Sequence, residues 1–275
     1  MCIRDSNTPI SQRILKQINA SSQNDKEATF ILIGNLTREV GYPKNKEERK
    51  TEEDFLTNKL LTPLKGFNGN IIFTPGTNEW NKKGDKSLDD LESFLQDNSK
   101  AKFWPNDGCA LESKSLGENV AIIMIDSQWF LEDWDKYPYI NNKCDIKTRE
   151  QFFAEFRDEL GDNQGKTVLV AIHHPILSNT KFGFVDKIGG FSKQTFQNER
   201  QRELHDRLEA TAREFKDVIF ISGNHRNLQY LDHHGVLQII SGAATKTQKA
   251  KAHKDEHFAS DKNGCLLYTS PSPRD

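Results

Sequence analysis

The sequence predicts an α/β fold, and three observations carry that prediction. Apolar runs of four to six residues recur along the chain, and each closes on a glycine or a polar cluster, as buried strands do. The polar segments between them place apolar residues at helical spacing. Near the end, two short runs flank Asp232-His233-His234-Gly235, a turn that folds the second run back on the first as an antiparallel hairpin.

The elements follow in order. Ile10, Ile14, Leu15 and Ile18 recur at helical spacing within a polar stretch, which predicts a helix inside residues 8–27. Ala28 to Ile33 then runs apolar into Gly34-Asn35, a buried parallel strand with a loop at its C-terminal end. Residues 44–54 are a charge run, read as a solvated helix face, ahead of Phe55, Leu60, Leu61 and Leu64 at helical spacing. Asn70 to Thr74 is a second strand, opening into Pro75-Gly76-Thr77-Asn78-Glu79-Trp80. Ser87, with Asp90 three residues on, caps a short helix reaching Leu95.

Asn119 to Asp126 is a third strand, and the aromatic stretch 127–135 after it reads as a loop. Thr148 and Gln151 fit a capping box, starting a helix whose buried stripe is Phe152, Phe153, Phe156 and Leu160. Lys166 to Ile172 is a fourth strand, ending in His173-His174-Pro175. Residues 178–198 lack periodicity and read as a long loop over the site. Glu199 to Lys216 is an amphipathic helix turned inward at Leu204, Leu208, Ala212 and Phe215. Val218 to Ile221 is the fifth strand, followed by Leu228 to Leu231 and Val236 to Ile240 as the hairpin.

A chain of 275 residues can bury one substantial core, and its formal net charge is -2. Basic residues are scattered, so nucleic acid is not an expected partner. The longest apolar runs, such as Val120 to Ile125, fall far short of the ~20 residues a spanning helix needs, so no transmembrane segment is expected. Residues 1–6 and 265–275 are expected to be non-native sequencing-adaptor ends, which leaves one domain over 7–258. Setting the ends aside leaves Cys109 and Cys144, both in polar, loop-like sequence. The pair is compatible with a disulfide, hence with the periplasm or exterior; two unrelated thiols are the alternative.

Polar groups follow several strand ends: Asn35, Thr77-Asn78-Glu79, Asp126-Ser127-Gln128-Trp129, His173-His174-Pro175 and Gly223 to Tyr230. In order and setting these resemble the calcineurin-like metallophosphoesterases, over roughly residues 28–250, and Asn227-Leu228-Gln229-Tyr230 resembles their purple acid phosphatase branch. The resemblance implies a two-layered β-sandwich flanked by helices, a four-layer α/β/β/α arrangement, in a domain truncated before its first strand. It also implies two divalent or trivalent metal ions, iron, zinc or manganese, that bind a phosphate ester and activate a bridging hydroxide. Similar bacterial domains can be joined to an outer-membrane barrel, so a fusion beyond the C-terminus and a place in the cell envelope are further implications.

Residue by residue, the metal motifs are degenerate. Asn35 stands where the family has a bridging carboxylate, and an amide brings no charge to hold two cations together. Thr77 stands at a metal-binding asparagine and Asn78 at the catalytic histidine; an amide cannot protonate a leaving alkoxide. A one-residue slip would make Asn78 a ligand and still leave no histidine. His173 with Pro175 keeps the fourth motif. Asn224 and Arg226 occupy both ligand positions of the fifth, with His225 between them, and a guanidinium cannot coordinate a metal.

These substitutions predict an inactive or impaired phosphoesterase domain that acts as an anion-binding or structural domain, with no metal and no catalytic residue assigned. Its pocket is expected to gather Arg226, His173, His225, Asn35, Asn78 and Glu79, and its expected ligand is phosphate or another small anion. Arg226 has two readings, an anion site or an ion pair with Glu79 or Asp126. The alternative function is an active metal-dependent phosphomonoesterase with ligands rebuilt from His173, His174, His225 and Glu79, although adjacent histidines on a strand point to opposite faces. Trp80, Trp129 and Trp134 read either as an aromatic rim or as packing under loops.

Overall fold

The computed structural model describes residues 9–39, 41–80, 85–133, 143–180, 199–242, 247–250 and 257–265. After the amphipathic helix α1 (Pro9–Ser21), strand β1 (Thr29–Ile33) and strand β2 (Asn70–Thr74) pair in parallel, and β2 pairs with the short β3 (Lys102–Phe103). Between β1 and β2 lie α2 (Lys46–Leu56), a π turn (Thr57–Leu61) and α3 (Thr62–Leu64). Helix α4 (Asp85–Asn98) connects β2 to β3.

The larger sheet has the order β10-β8-β9-β7-β6-β5-β4. Its centre is parallel: β5 (Val120–Ile125), β6 (Thr167–Ile172), β7 (Val218–Ser222) and β9 (Val236–Ser241). Antiparallel strands close both flanks, β4 (Leu111–Ser115) on one side and β8 (Leu228–His233) with β10 (Phe258–Ser260) on the other. Helices α5 (Ser127–Leu131), α6 (Arg149–Asp162) and α7 (Glu199–Ala212) belong to this half. The expected hairpin is β8–β9; its turn residues His234 and Gly235 both have positive φ, 54° and 86°, as a tight two-residue hairpin turn demands.

Alternation along the central strands explains the layering. Ile122 and Met124 of β5 join Leu169 and Ala171 of β6 against Ile33 and Ile72, which makes an apolar seam between the two sheets. Ile123, Ile125, Val170, Ile172 and Phe220 face the other way, onto Phe152, Phe156, Leu204 and Leu208 of the helices. Strands covered on both faces therefore read as continuous apolar runs. The result is the expected α/β architecture of two sheets flanked by helices.

Several sequence expectations need correction. Ser87 lies inside α4, which begins at Asp85, so it is not the cap. The aromatic stretch after β5 is a helix, α5, capped by Asp126, whose side chain accepts from the N–H groups of Gln128 and Trp129. The charge run at 44–54 is not wholly solvated: Glu52 is buried and accepts from the Arg38 backbone N–H at 3.0 Å and from Arg38 Nε at 2.5 Å. Strands β3, β4 and β10 were not expected, because two or three residues carry no period and Leu111–Ser115 is mostly polar on a flank. Cys109 and Cys144 form a disulfide, with Cα atoms 5.0 Å apart. Trp134 and most of the expected loop 178–198 lie outside the described residues.

Candidate functional site

The C-terminal ends of β1, β2, β5, β6 and β7 supply the residues that the sequence singles out, and His173 joins the two sheets there. Its Nδ1 lies 3.1 Å from the carbonyl oxygen of Ile33, which accepts only, so Nδ1 carries the proton and donates. The ring fits between two glycines. A Cβ added at Gly34 would lie 2.2 Å from Nδ1, and one at Gly76 2.7 Å from it. Gly34 also has φ 69°, a backbone region that side chains disfavour. His173 Nε2 is buried and has no hydrogen-bond partner among the described residues.

His174 sits beside it, the two rings meeting edge to face at 4.9 Å. The strand ends at Ile172, so strict alternation no longer separates them. Both nitrogens of His174 are engaged, Nδ1 with Ser127 Oγ at 2.8 Å and Nε2 with Thr77 Oγ1 at 3.2 Å. His225 Nδ1 contacts Ser178 Oγ at 2.7 Å. Burial pushes these imidazoles down, His173 to about 4 and His225 to about 3, and His174 well below its ordinary value, with neighbouring histidines adding to the effect at His174 and His225. All three are neutral at pH 7.

The loops after β1 and β2 are sewn together by side chains at positions where the resemblance expects metal ligands and the catalytic acid. Asn35 Oδ1 accepts from the Asn78 backbone N–H at 3.2 Å, and the Asn78 amide donates to the Thr37 carbonyl at 2.9 Å. The Glu79 carboxyl accepts from the N–H groups of Asn35, Thr37 and Gly76, each at 2.8 Å, and from Thr37 Oγ1 at 3.0 Å. Burial raises this carboxyl above the usual carboxylate range, and those four donors oppose the rise. Asp126 accepts from Trp80 Nε1 at 2.6 Å besides capping α5, and burial raises it to about 8.

Asn227 and Gln229, the polar members of the Asn-Leu-Gln-Tyr phrase, hold the segment after β6. Asn227 donates to Thr180 Oγ1 at 2.9 Å, Gln229 donates to the same oxygen at 3.1 Å, and Gln229 Oε1 accepts from the Asn179 N–H at 2.8 Å. Asn224 has φ 50°. Arg226 is half-buried and forms no ion pair with Glu79 or Asp126 among the described residues, which removes the paired reading of that arginine. Trp80 and Trp129 are core residues, 4% and 0% exposed, so the aromatic-rim reading fails for both.

The sequence reading missed His205 on α7, buried among the histidines and pushed down to about 3 by burial. Its signal was present: Gln201, Leu204, His205, Leu208 and Ala212 form one helical stripe. Thr37 and Ser178 were missed as well, since a short hydroxyl in a loop has no pattern of its own.

These residues do not fit the two-metal centre that the resemblance implies. The oxygens of Asn35, Glu79 and Asp126 already accept N–H groups, both nitrogens of His174 are engaged, and Arg226 is a cation. His173 Nε2 is a buried ring nitrogen without a hydrogen-bond partner among the described residues, held by a backbone-bound Nδ1 as in a metal-ligating histidine. Among the described residues, no three His, Cys, Asp or Glu side chains converge as a metal site.

No family model matches the chain, and no curated protein does. Solved structures do. GAP50, described as the anchor in the inner membrane complex of Plasmodium, matches at TM-score 0.58 and 16% identity over 94% of this chain and 75% of that one. A 5'-nucleotidase from Staphylococcus aureus matches at TM-score 0.50 and 13% identity over 94% of this chain and 50% of that one. PhoD matches at TM-score 0.58 and 9% identity over 91% of this chain and 59% of that one. At such identities the likeness shows the fold, and that fold is of the metallophosphoesterase type. The chain spans only half to three-fifths of the nucleotidase and PhoD.

Proposed function

We propose that this is a single metallophosphoesterase-like domain of the purple acid phosphatase-like branch that no longer hydrolyses esters and serves as an anion-binding or structural domain. One observation carries the reading: among the described residues, the strand-end carboxyls of Glu79 and Asp126 accept backbone, hydroxyl and indole donors where a metal centre would need them to bridge two cations. The replacements at Asn35, Thr77, Asn78, Asn224 and Arg226 support it from the sequence. A neighbour of this fold described as an anchor supports a structural role. The disulfide supports an exported, cell-envelope setting, which suits a domain joined to an outer-membrane barrel.

The test is metal analysis of the purified protein together with turnover of a chromogenic phosphate ester. No stoichiometric metal and no turnover are expected; bound metal with activity abolished by His173→Ala would overturn the proposal. That second outcome is the phosphomonoesterase reading, and the open lone pair of His173 Nε2 is the observation that favours it.

The anion role rests on Arg226, a half-buried cation without a carboxylate partner among the described residues. Inorganic phosphate is expected to raise the melting temperature, and Arg226→Ala is expected to remove that response. An unmutated protein indifferent to phosphate leaves the structural role alone.

A further inference from the structure

Three backbone N–H groups and one hydroxyl converge on Glu79 from two loops far apart in sequence. Asn35 and Thr37 belong to the loop after β1, Gly76 to the loop after β2, and the carboxyl that unites them is 1% exposed. Each carboxyl oxygen takes two donors: Oε1 the N–H and hydroxyl of Thr37, Oε2 the N–H groups of Asn35 and Gly76. Left-handed backbone at Gly34 and Asn35, φ 69° and 57°, turns the first loop so that its N–H groups face inward. Backbone N–H groups are one-way donors, so three of the four positions around this ligand are fixed for an acceptor.

We infer that the ends of β1 and β2 form a carboxylate-binding nest that Glu79 fills as a built-in ligand, and that vacating it creates a site for a small free carboxylate. The nest suits a planar group with two acceptor oxygens. A metal ion is excluded by N–H hydrogens pointing into the site, and chloride meets only part of a fork spaced for two oxygens. In the native protein the bound carboxyl holds both strand-end loops around His173, work that a pair of metals would otherwise do. The inference does not depend on whether the domain turns over phosphate esters, so the two readings fail separately.

Glu79→Ala leaves three buried N–H groups without a partner, and a fall in melting temperature of roughly 10 °C is expected. Sodium formate is expected to recover part of that loss saturably, while sodium chloride at equal ionic strength does not, and the unmutated protein should respond alike to both salts. Glu79→Gln keeps the nest filled but turns an NH₂ group toward N–H donors; it should be destabilised and show no formate response. Should Glu79→Ala not fold alone, refolding in formate replaces the melt, with folded protein expected in formate and not in chloride. The inference is overturned by an Ala variant as stable as the parent, by equal effects of formate and chloride, by an equal formate response in the Gln variant, or by failure to refold in either salt.

Discussion

At the scale of single residues, burial without charge is the recurring device at the strand ends. His173, His174, His205 and His225 are all buried, and all are pushed down by that burial. His205 is the cleanest to test, because it lies on α7 and takes no part in the contacts between the β1 and β2 loops. Its folded value is about 3 against 6.5 for the free side chain. Below pH 6.5 the unfolded chain therefore binds a proton that the folded chain refuses, and stability from this group is present above 6.5 and lost as pH falls toward 3. His205→Leu removes this pH dependence. Relative to its gap from the parent at pH 7, the variant should gain about 2 kcal/mol at pH 5 in urea unfolding; a gap independent of pH would contradict a buried neutral imidazole. Asp126 works in the opposite sense, since a carboxyl raised to about 8 loses stability as pH climbs through the range between its free and folded values.

At the scale of elements, the covered strands were legible, while β3, β4 and β10 were not. Each of β1, β2, β5, β6 and β7 was readable because the interior of the run is apolar, its residues packing on both faces of the sheet. Helices α6 and α7 were legible from their stripes. Helix α5 was read as a loop, because five residues that are buried on every side show no polar face to set a period. Glu79 and Asn78 were identified as site residues by position, yet their partners are backbone N–H and carbonyl groups, which no side-chain pattern reports. The same holds for the cysteines. Their loops are 35 residues apart in sequence and meet only in the folded chain, where Lys143 beside Cys144 also pairs with Asp107 near Cys109 and with Asp89 of α4. Closing such a loop restricts the unfolded chain by about 4 kcal/mol in the chain-entropy picture. Replacing both with serine should lower the melting temperature by roughly 10 °C; reduction with no shift in melting would remove the bridge from the account.

At the scale of the whole molecule, the two sheets meet along an apolar seam, and the polar strand ends collect at one end of it. The expectation of an impaired phosphoesterase comes from Asn35, Thr77, Asn78, Asn224 and Arg226, which the resemblance sets at ligand and acid positions, because residue chemistry alone decides whether a side chain can bridge cations or move a proton. The sequence by itself also determined the α/β class, since covered strands and striped helices are local patterns. What only the tertiary structure decided is the use of the surviving polar groups. Whether a carboxylate faces a cation or an N–H depends on which loops lie opposite it, and that is set by the packing of one sheet on the other. There Glu79 meets three backbone N–H groups, and His173 settles between two glycines with one nitrogen bound to Ile33.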